Sequence, residues 1–308
     1  MKRLDEFRIF YNHTIHPELM RMEQHRKRLL WLFAISSVML LGLIIFELYI
    51  NILVITLAAI LPIALYLTWL YYQARAFRQK FKPNVVRLIL DFVDDSLNFG
   101  ELSYDGEWMM GRAEFLGSQV FATSAPIYEG EDYIAGKIGN MQFELSEILV
   151  QEFSKVDQRI QTVFKGIFLQ STFSFKLEGR VLILPKYRRQ YLSRGIRQFI
   201  QSGGQSVDNR MSDAHYKQLF QTFADQKADI RNLLSVEMQT TIADYCTQND
   251  KVLYISFINS TINIFMEEED DFLEPFLFRP NVSFDLVQNF FEDIRLVVNI
   301  IEDFDRLY

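Results

Sequence analysis

Two uncharged apolar runs near the N-terminus, set almost back to back, constrain this chain more than any other feature. No charged residue occurs from Leu29 to Phe46, and none from Ile52 to Tyr72. Only Glu47, Leu48, Tyr49, Ile50 and Asn51 separate them. As a helix, each run is long enough to cross a hydrocarbon core of about 30 Å. So short a linker makes them antiparallel, which predicts a transmembrane hairpin of spans 29–50 and 52–72. A soluble core helix of this length carries a polar face. These runs offer little beyond Ser36, Ser37, Thr56 and Thr68.

Charge predicts the orientation. Residues 1–28 hold Lys2, Arg3, Arg8, Arg21, Arg26, Lys27 and Arg28. The stretch after the second run holds Arg75, Arg78, Lys80, Lys82 and Arg87, without an acid among residues 73–87. Flanking positive charge stays on the cytoplasmic side, so both termini are expected there. A cleavable signal peptide fits poorly: the first run is too long and a second follows at once. Trp31, Tyr49, Trp69, Tyr71 and Tyr72 stand near the run ends, where interfacial rings are favoured. Neither run contains an ionisable carboxylate, amine, guanidine or imidazole, so a proton pathway has nothing to run on. Two spans enclose no pore, so a channel would need a homo-oligomer.

Composition limits the rest. The whole chain carries −7. With +3 in residues 1–28, −1 in the turn and +5 in 73–87, residues 88–308 carry −14. An acidic domain is a poor nucleic-acid binder, because phosphate neutralisation dominates that affinity. The single cysteine, Cys246, excludes an intramolecular disulfide and reads as a small buried hydrophobe.

Periodicity predicts an α+β chain: an N-terminal cytoplasmic helical segment (1–28), the hairpin (29–72), a helical stem (73–99) and a cytoplasmic domain (100–308). Pro17 is expected to split the first segment into 4–14 and 17–28, and Pro83 to open the stem helix at its first position. Strands are predicted at 101–108, 119–127, 132–138, 140–149, 161–170, 172–177 and 180–185. Residues 186–212 read as a long polar loop and 213–247 as helix. A hairpin of 251–259 and 261–267 follows, and an amphipathic helix over 283–306, capped by Ser283, closes an otherwise antiparallel domain.

Several stretches resemble a known family. They are Phe10-Tyr11 with Ile15-x-Pro17-Glu18-Leu19-x-x-Met22-Glu23-x-x-Arg26, then Tyr128-Glu129-Gly130-Glu131-Asp132-Tyr133-Ile134-Ala135-Gly136. Phe143-x-x-Ser146-Glu147 and Val163-Phe164-Lys165-Gly166-Ile167-Phe168 follow, with Phe173 and Pro185. Tyr216-x-x-Leu219-Phe220 and Leu233-Leu234-Ser235 complete the set. In order and spacing they resemble the bacterial membrane proteins grouped as domain of unknown function 3137. The resemblance implies a two-span inner-membrane protein with a cytoplasmic domain. It implies no activity. It also implies relatives encoded beside small membrane proteins of the LemA type, and so a partner of that kind.

Motifs for chemistry are missing. Gly136-Lys137-Ile138-Gly139 lacks the Walker spacing, and there is no Gly-x-Ser-x-Gly, His-Glu-x-x-His, Cys-x-x-Cys or EF-hand loop. His13 and His16 have no third ligand nearby, so no metal and no cofactor are expected. Glu129, Glu131 and Asp132 form an acidic turn that leads into the strand residue Tyr133, and the four make a candidate partner surface. Lys186, Arg188, Arg189 and Arg194, with Arg197 beyond, form a basic patch, a candidate contact for lipid headgroups. The acids Glu267, Glu268, Glu269, Asp270 and Asp271 read as a solubilising loop. Phe276 and Phe278 between two prolines are a further docking candidate.

Three classes of function remain. A membrane-anchored interaction or scaffold module needs no catalytic constellation and fits best. A lipid- or small-ligand sensor, built like a pleckstrin-homology barrel, would show a basic mouth near Arg188–Arg194. An enzyme of unfamiliar type would gather Glu131 and Asp132 with Lys165 or His215 in a cleft.

Overall fold

The computed structural model describes residues 4–50, 53–94, 99–139, 141–154, 158–172, 178–258, 260–268 and 278–307. The chain divides into two compact units. One comprises Lys2–Phe92 with Leu273–Phe290, the other Val93–Phe272 with Phe291–Tyr308.

The first unit is helical. Helix α1 (Leu4–Phe10) passes through a π-helical turn (Tyr11–Ile15) into α2 (His16–Ile50) without a break. Pro17 therefore does not split the helix, as its sequence position suggested. It lies in the first turn of α2, and the wider π turn before it accommodates the missing N–H. Helix α3 (Leu53–Asp94) likewise contains Pro62 and Pro83 in its interior, so Pro83 does not open a new helix. Over residues 4–46 one helical stretch is long and apolar enough to cross a membrane, and only 11% of its apolar window is buried. A second such span is not shown, and residues 51 and 52 lie outside the described ones. Phe92 packs on Phe7 and Phe10 at centroid distances of 5.3 and 4.8 Å, and Phe77 stacks on His25 at 5.9 Å.

The second unit is built on one nine-stranded antiparallel sheet. Its strands are β1 (Phe99–Asp105), β2 (Ile127–Ile138), β3 (Met141–Ser154), β4 (Arg159–Thr172), β5 (Arg180–Pro185), β6 (Gly204–Ser206), β7 (Phe220–Asp225), β8 (Leu253–Ile258) and β9 (Thr261–Glu267). Their order is β1-β2-β3-β4-β9-β8-β5-β7-β6. Tyr254 and Phe265 point to the face covered by α4 (Arg112–Gly117), the segment 118–126 and α5 (Arg189–Gln201). Phe265 stacks on Phe168 at 4.4 Å and receives the edges of Phe115, Phe121 and Phe164. Phe199 and Phe223 belong to the same core. Met266 points to the other face, where Tyr245 of α8 (Val236–Asn249) and Asp293 of α9 (Phe284–Leu307) meet it.

Three predicted elements are corrected. Residues 119–127 are not a strand, because their N–H groups close turns and the start of β2 instead. The stretch 186–212 is not a loop. It contains a 3-10 turn (Lys186–Arg188), α5 and β6, and Leu192, Ile196 and Phe199 bury one stripe of α5 at helical spacing. The span 213–247 is not one helix. Between α6 (Ala214–Leu219) and α7 (Ile230–Leu233) it holds β7, which pairs with both β5 and β6. Ladder pairing overrides local propensity there. Predicted strand residues 173–177 lie outside the described ones, as does Asn259. The β8–β9 hairpin and α9 agree with the reading, including the Ser283 hydroxyl accepting from the Asp285 N–H at 3.2 Å.

Candidate functional site

The strand predicted from residue 132 starts earlier, so Glu129 and Glu131 also lie in it rather than in a turn before it. Glu129, Glu131, Asp132 and Tyr133 all belong to β2. Glu131 is opposite Glu147 and Ile134 opposite Leu145, so β2 carries one extra residue there. Asp132 takes a left-handed backbone, φ 59°, which permits this bulge and which aspartate tolerates. The bulge sends the N–H groups of Asp132 and Tyr133 to the carbonyls of Gly106 and Trp108, at 3.5 and 3.1 Å. The Tyr104 hydroxyl donates to Asp132 Oδ1 at 2.6 Å. Burial pushes the Tyr133 hydroxyl up to about 12, with Glu144 adding to the effect.

The same bulge brings carboxylates together. One oxygen each of Glu131, Asp132 and Glu147 lie within 4.8 Å of one another, and the last two residues are buried. Three carboxylates at this spacing are the donor type that suits a hard divalent cation. Sequence spacing did not reveal Glu147 as part of this group, because it joins across the β2–β3 ladder. Neither Lys165 nor His215 belongs to it. Lys165 lines a cleft elsewhere, and His215 Nδ1 lies 3.3 Å from Asp244 and its Nε2 3.0 Å from the Thr247 hydroxyl.

Three side chains of the basic patch have a polar partner close by. Lys186 gives its ammonium to the Lys217 carbonyl. Arg188 binds Glu267 at 2.7 Å, and Arg194 lies 4.0 Å from Glu152. The backbone of Arg189 opens α5, and its side chain is outside the described ones. Arg188 and Arg194 line one cleft of about 670 Å³, and Arg197 and Lys165 line it too. Sequence reading linked Lys165 to the wrong group, since only the fold brings β4 opposite α5. A second cavity of about 660 Å³ adjoins it, sharing Phe121, Ala122, Thr123, Glu152 and Arg194. Gly195 lets α5 approach the rim, since a Cβ there would stand 3.0 Å from the Val120 carbonyl oxygen.

Other candidates resolve simply. Cys246 is buried, and burial pushes its thiol up to about 12, far from nucleophile range. Phe278 is exposed, while Phe276, Glu269, Asp270 and Asp271 lie outside the described residues. Glu267 and Glu268 are held by Arg188 and Lys251.

Comparison with curated proteins and with solved structures returns no match. A family model does match. Residues 162–306, from β4 through α9, fit the family described as protein of unknown function (DUF3137). Over those residues the chain is similar to that family, in line with the resemblance read from its sequence.

Proposed function

We propose that this chain is a membrane-anchored interaction module, held by a two-helix hairpin with both termini on the cytoplasmic face. The observation that carries the anchor is the exposure of large apolar side chains along α2. Trp31, Val38, Met39, Leu41 and Ile45 are all exposed, a pattern that lipid covers and water does not. The recognition role is supported by the acidic bulge and the basic cleft, which offer two chemically distinct surfaces without a nucleophile–base pair. The reading places the chain in a bacterial inner membrane, with a second small membrane protein as partner and the option of self-association.

Crosslinking the full chain in its native membrane, followed by mass spectrometry, tests this. Asp132→Ala and Arg188→Ala/Arg194→Ala variants run alongside. A stoichiometric protein lost in one variant is the expected result, and it marks the surface used. Its absence from every sample overturns the reading. Topology is tested separately. In a Cys246→Ser background, single cysteines at His13 and Asp244 should react with an impermeant maleimide only in inverted vesicles, and one at Tyr49 only in intact cells.

A second reading has its own observation. The cleft gathers Lys165, Arg188, Arg194 and Arg197 over an aromatic floor, as a sensor of an anionic lipid or metabolite would require. Co-purified lipid or metabolite in place of a protein would favour it.

A further inference from the structure

Within the first unit, α2 and α3 flank a groove of about 330 Å³. Arg21, Met22 and His25 line it from α2. Gln73, Phe77, Lys80 and Phe81 line it from α3. Both sets recur at three and four residues, so each belongs to one helix face. The floor is aromatic. Phe77 and Phe81 are 6% and 1% exposed, with ring centroids 6.0 Å apart, and the exposed His25 stacks on Phe77 at 5.9 Å. The walls are cationic. Arg21 is paired with Glu18 at 3.0 Å yet keeps 78% of its side chain exposed. Lys80 is exposed on α3, and among the described residues no carboxylate pairs with it.

The groove begins where the uncharged runs end. His25 stands four residues before Leu29, and Gln73 directly follows Tyr72. At 1.5 Å per residue His25 is about 6 Å from the first run, which is headgroup depth for a hairpin with cytoplasmic termini. Tyr71 and Tyr72, 62% and 61% exposed, precede the groove on α3 as interfacial rings do. Lys80 lies farther along. Helical side chains tilt toward the N-terminus of their helix, which in α3 is the end nearer the span, so its ammonium is directed back toward that depth. We propose that this groove binds the headgroup of an anionic phospholipid, with its phosphate between His25 and Lys80 and its terminal group toward Arg21. The proposal rests on the membrane-anchor reading and goes beyond it by assigning a lipid. Charge favours an anion, and a basic pocket between spanning helices at their cytoplasmic end suits such headgroups. Depth and the Phe77 floor favour a lipid over a free anion, because the glycerol end of a lipid meets apolar surface there. The size suits one headgroup.

The test titrates the purified full chain, in detergent at physiological salt, with phosphatidylglycerol or phosphatidylcholine, and native mass spectrometry counts the lipid retained. Wild type is expected to retain phosphatidylglycerol in preference. Lys80→Gln should weaken that retention about tenfold while unfolding at an unchanged temperature, since it removes a charged hydrogen bond from an exposed position. His25→Ala should weaken it as well. Arg75→Gln loses the same charge outside the groove and should change retention less than about threefold, because salt screens a distant charge. Equal loss in Lys80→Gln and Arg75→Gln means only a diffuse basic field and overturns the proposal. Equal retention of phosphatidylcholine overturns it, as does inorganic phosphate binding as tightly as the lipid. Loss of the lipid in Arg188→Ala/Arg194→Ala would place it in the cleft beside α5 and overturns it too. If the single cysteines at His13, Asp244 and Tyr49 still react with maleimide as expected, only this inference falls. If they do not, the anchor reading falls and takes this inference with it.

Discussion

Glu23 and Arg26, one turn apart on α2, form a two-pronged ion pair in which both side chains are 5% exposed. Arg26 Nε donates to Glu23 Oε2 at 2.7 Å and Nη2 to Oε1 at 2.5 Å. The Arg26 hydrogen bonds hold the Glu23 carboxyl below its usual range, helped by the backbone of Asn281. Removing one partner leaves a buried charge. Arg26→Ala should therefore cost about 3–5 kcal/mol, and Arg26→Lys most of that because it loses the fork. Thermal unfolding in detergent measures both. The pair's stabilisation is present above the ordinary carboxylate range and lost as pH falls through the lowered value.

Asp132 combines a left-handed backbone with a buried carboxylate bonded to Tyr104. Asp132→Ala is expected to destabilise by roughly 2–3 kcal/mol, through strain and through the stranded Tyr104 hydroxyl. Asp132→Asn keeps both the turn and an acceptor and should cost about 1 kcal/mol or less. Tyr104→Phe should fall between them. Chemical denaturation of the three variants ranks them, and equal losses for Asn and Ala would refute the backbone argument.

Asp293 is buried among Tyr245, Lys251 and Glu268, with Glu292 beside it on α9. The Tyr245 hydroxyl donates to it at 3.0 Å, and Lys251 Nζ stands 3.7 Å away. Burial is the main reason its carboxyl is pushed up to about 7. The folded state then binds this proton more tightly than the unfolded one. Its contribution is full below about pH 4 and is lost as pH rises through about 7, by roughly 2–4 kcal/mol. Asp293→Asn should flatten the stability profile across that window, as read by unfolding midpoints at stepped pH.

Val38 lies midway along the apolar stretch and is 69% exposed. Val38→Arg should oppose insertion by about 3 kcal/mol and lower the carbonate-resistant fraction. His13→Arg, in the π-helical turn, should leave that fraction unchanged. A carbonate-resistant fraction unchanged by Val38→Arg would argue against the anchor.

What the sequence revealed depended on whether a signal was local. Alternation exposed β5, β8 and β9, and the 3.6-residue stripe with its Ser283 cap exposed α9. Helix α5 carried an equally good stripe in Leu192, Ile196 and Phe199, but its arginines and the following Gly203-Gly204 disguised it as a loop. Strand β7 could not be found locally, since Phe220–Asp225 becomes a strand only by lying between β5 and β6. The site divides in the same way. Arg188 and Arg194 were visible as a charged run. Lys165 joined them, and Glu147 joined Asp132, only through pairing across strands.

The order of the sheet has a consequence for how the chain is made. Strands β1 to β4 assemble in sequence order, and β5, β7 and β6 form a separate set. The β8–β9 hairpin, residues 253–267, is the only connection between them in the described ladder. Until that hairpin emerges from the ribosome, β4 and β5 each present an open edge to solvent. A nascent chain that has emerged only as far as Asn249 thus holds two half-sheets unable to join. The last hairpin is the keystone, and the hazard of edge-to-edge association lasts as long as its synthesis takes.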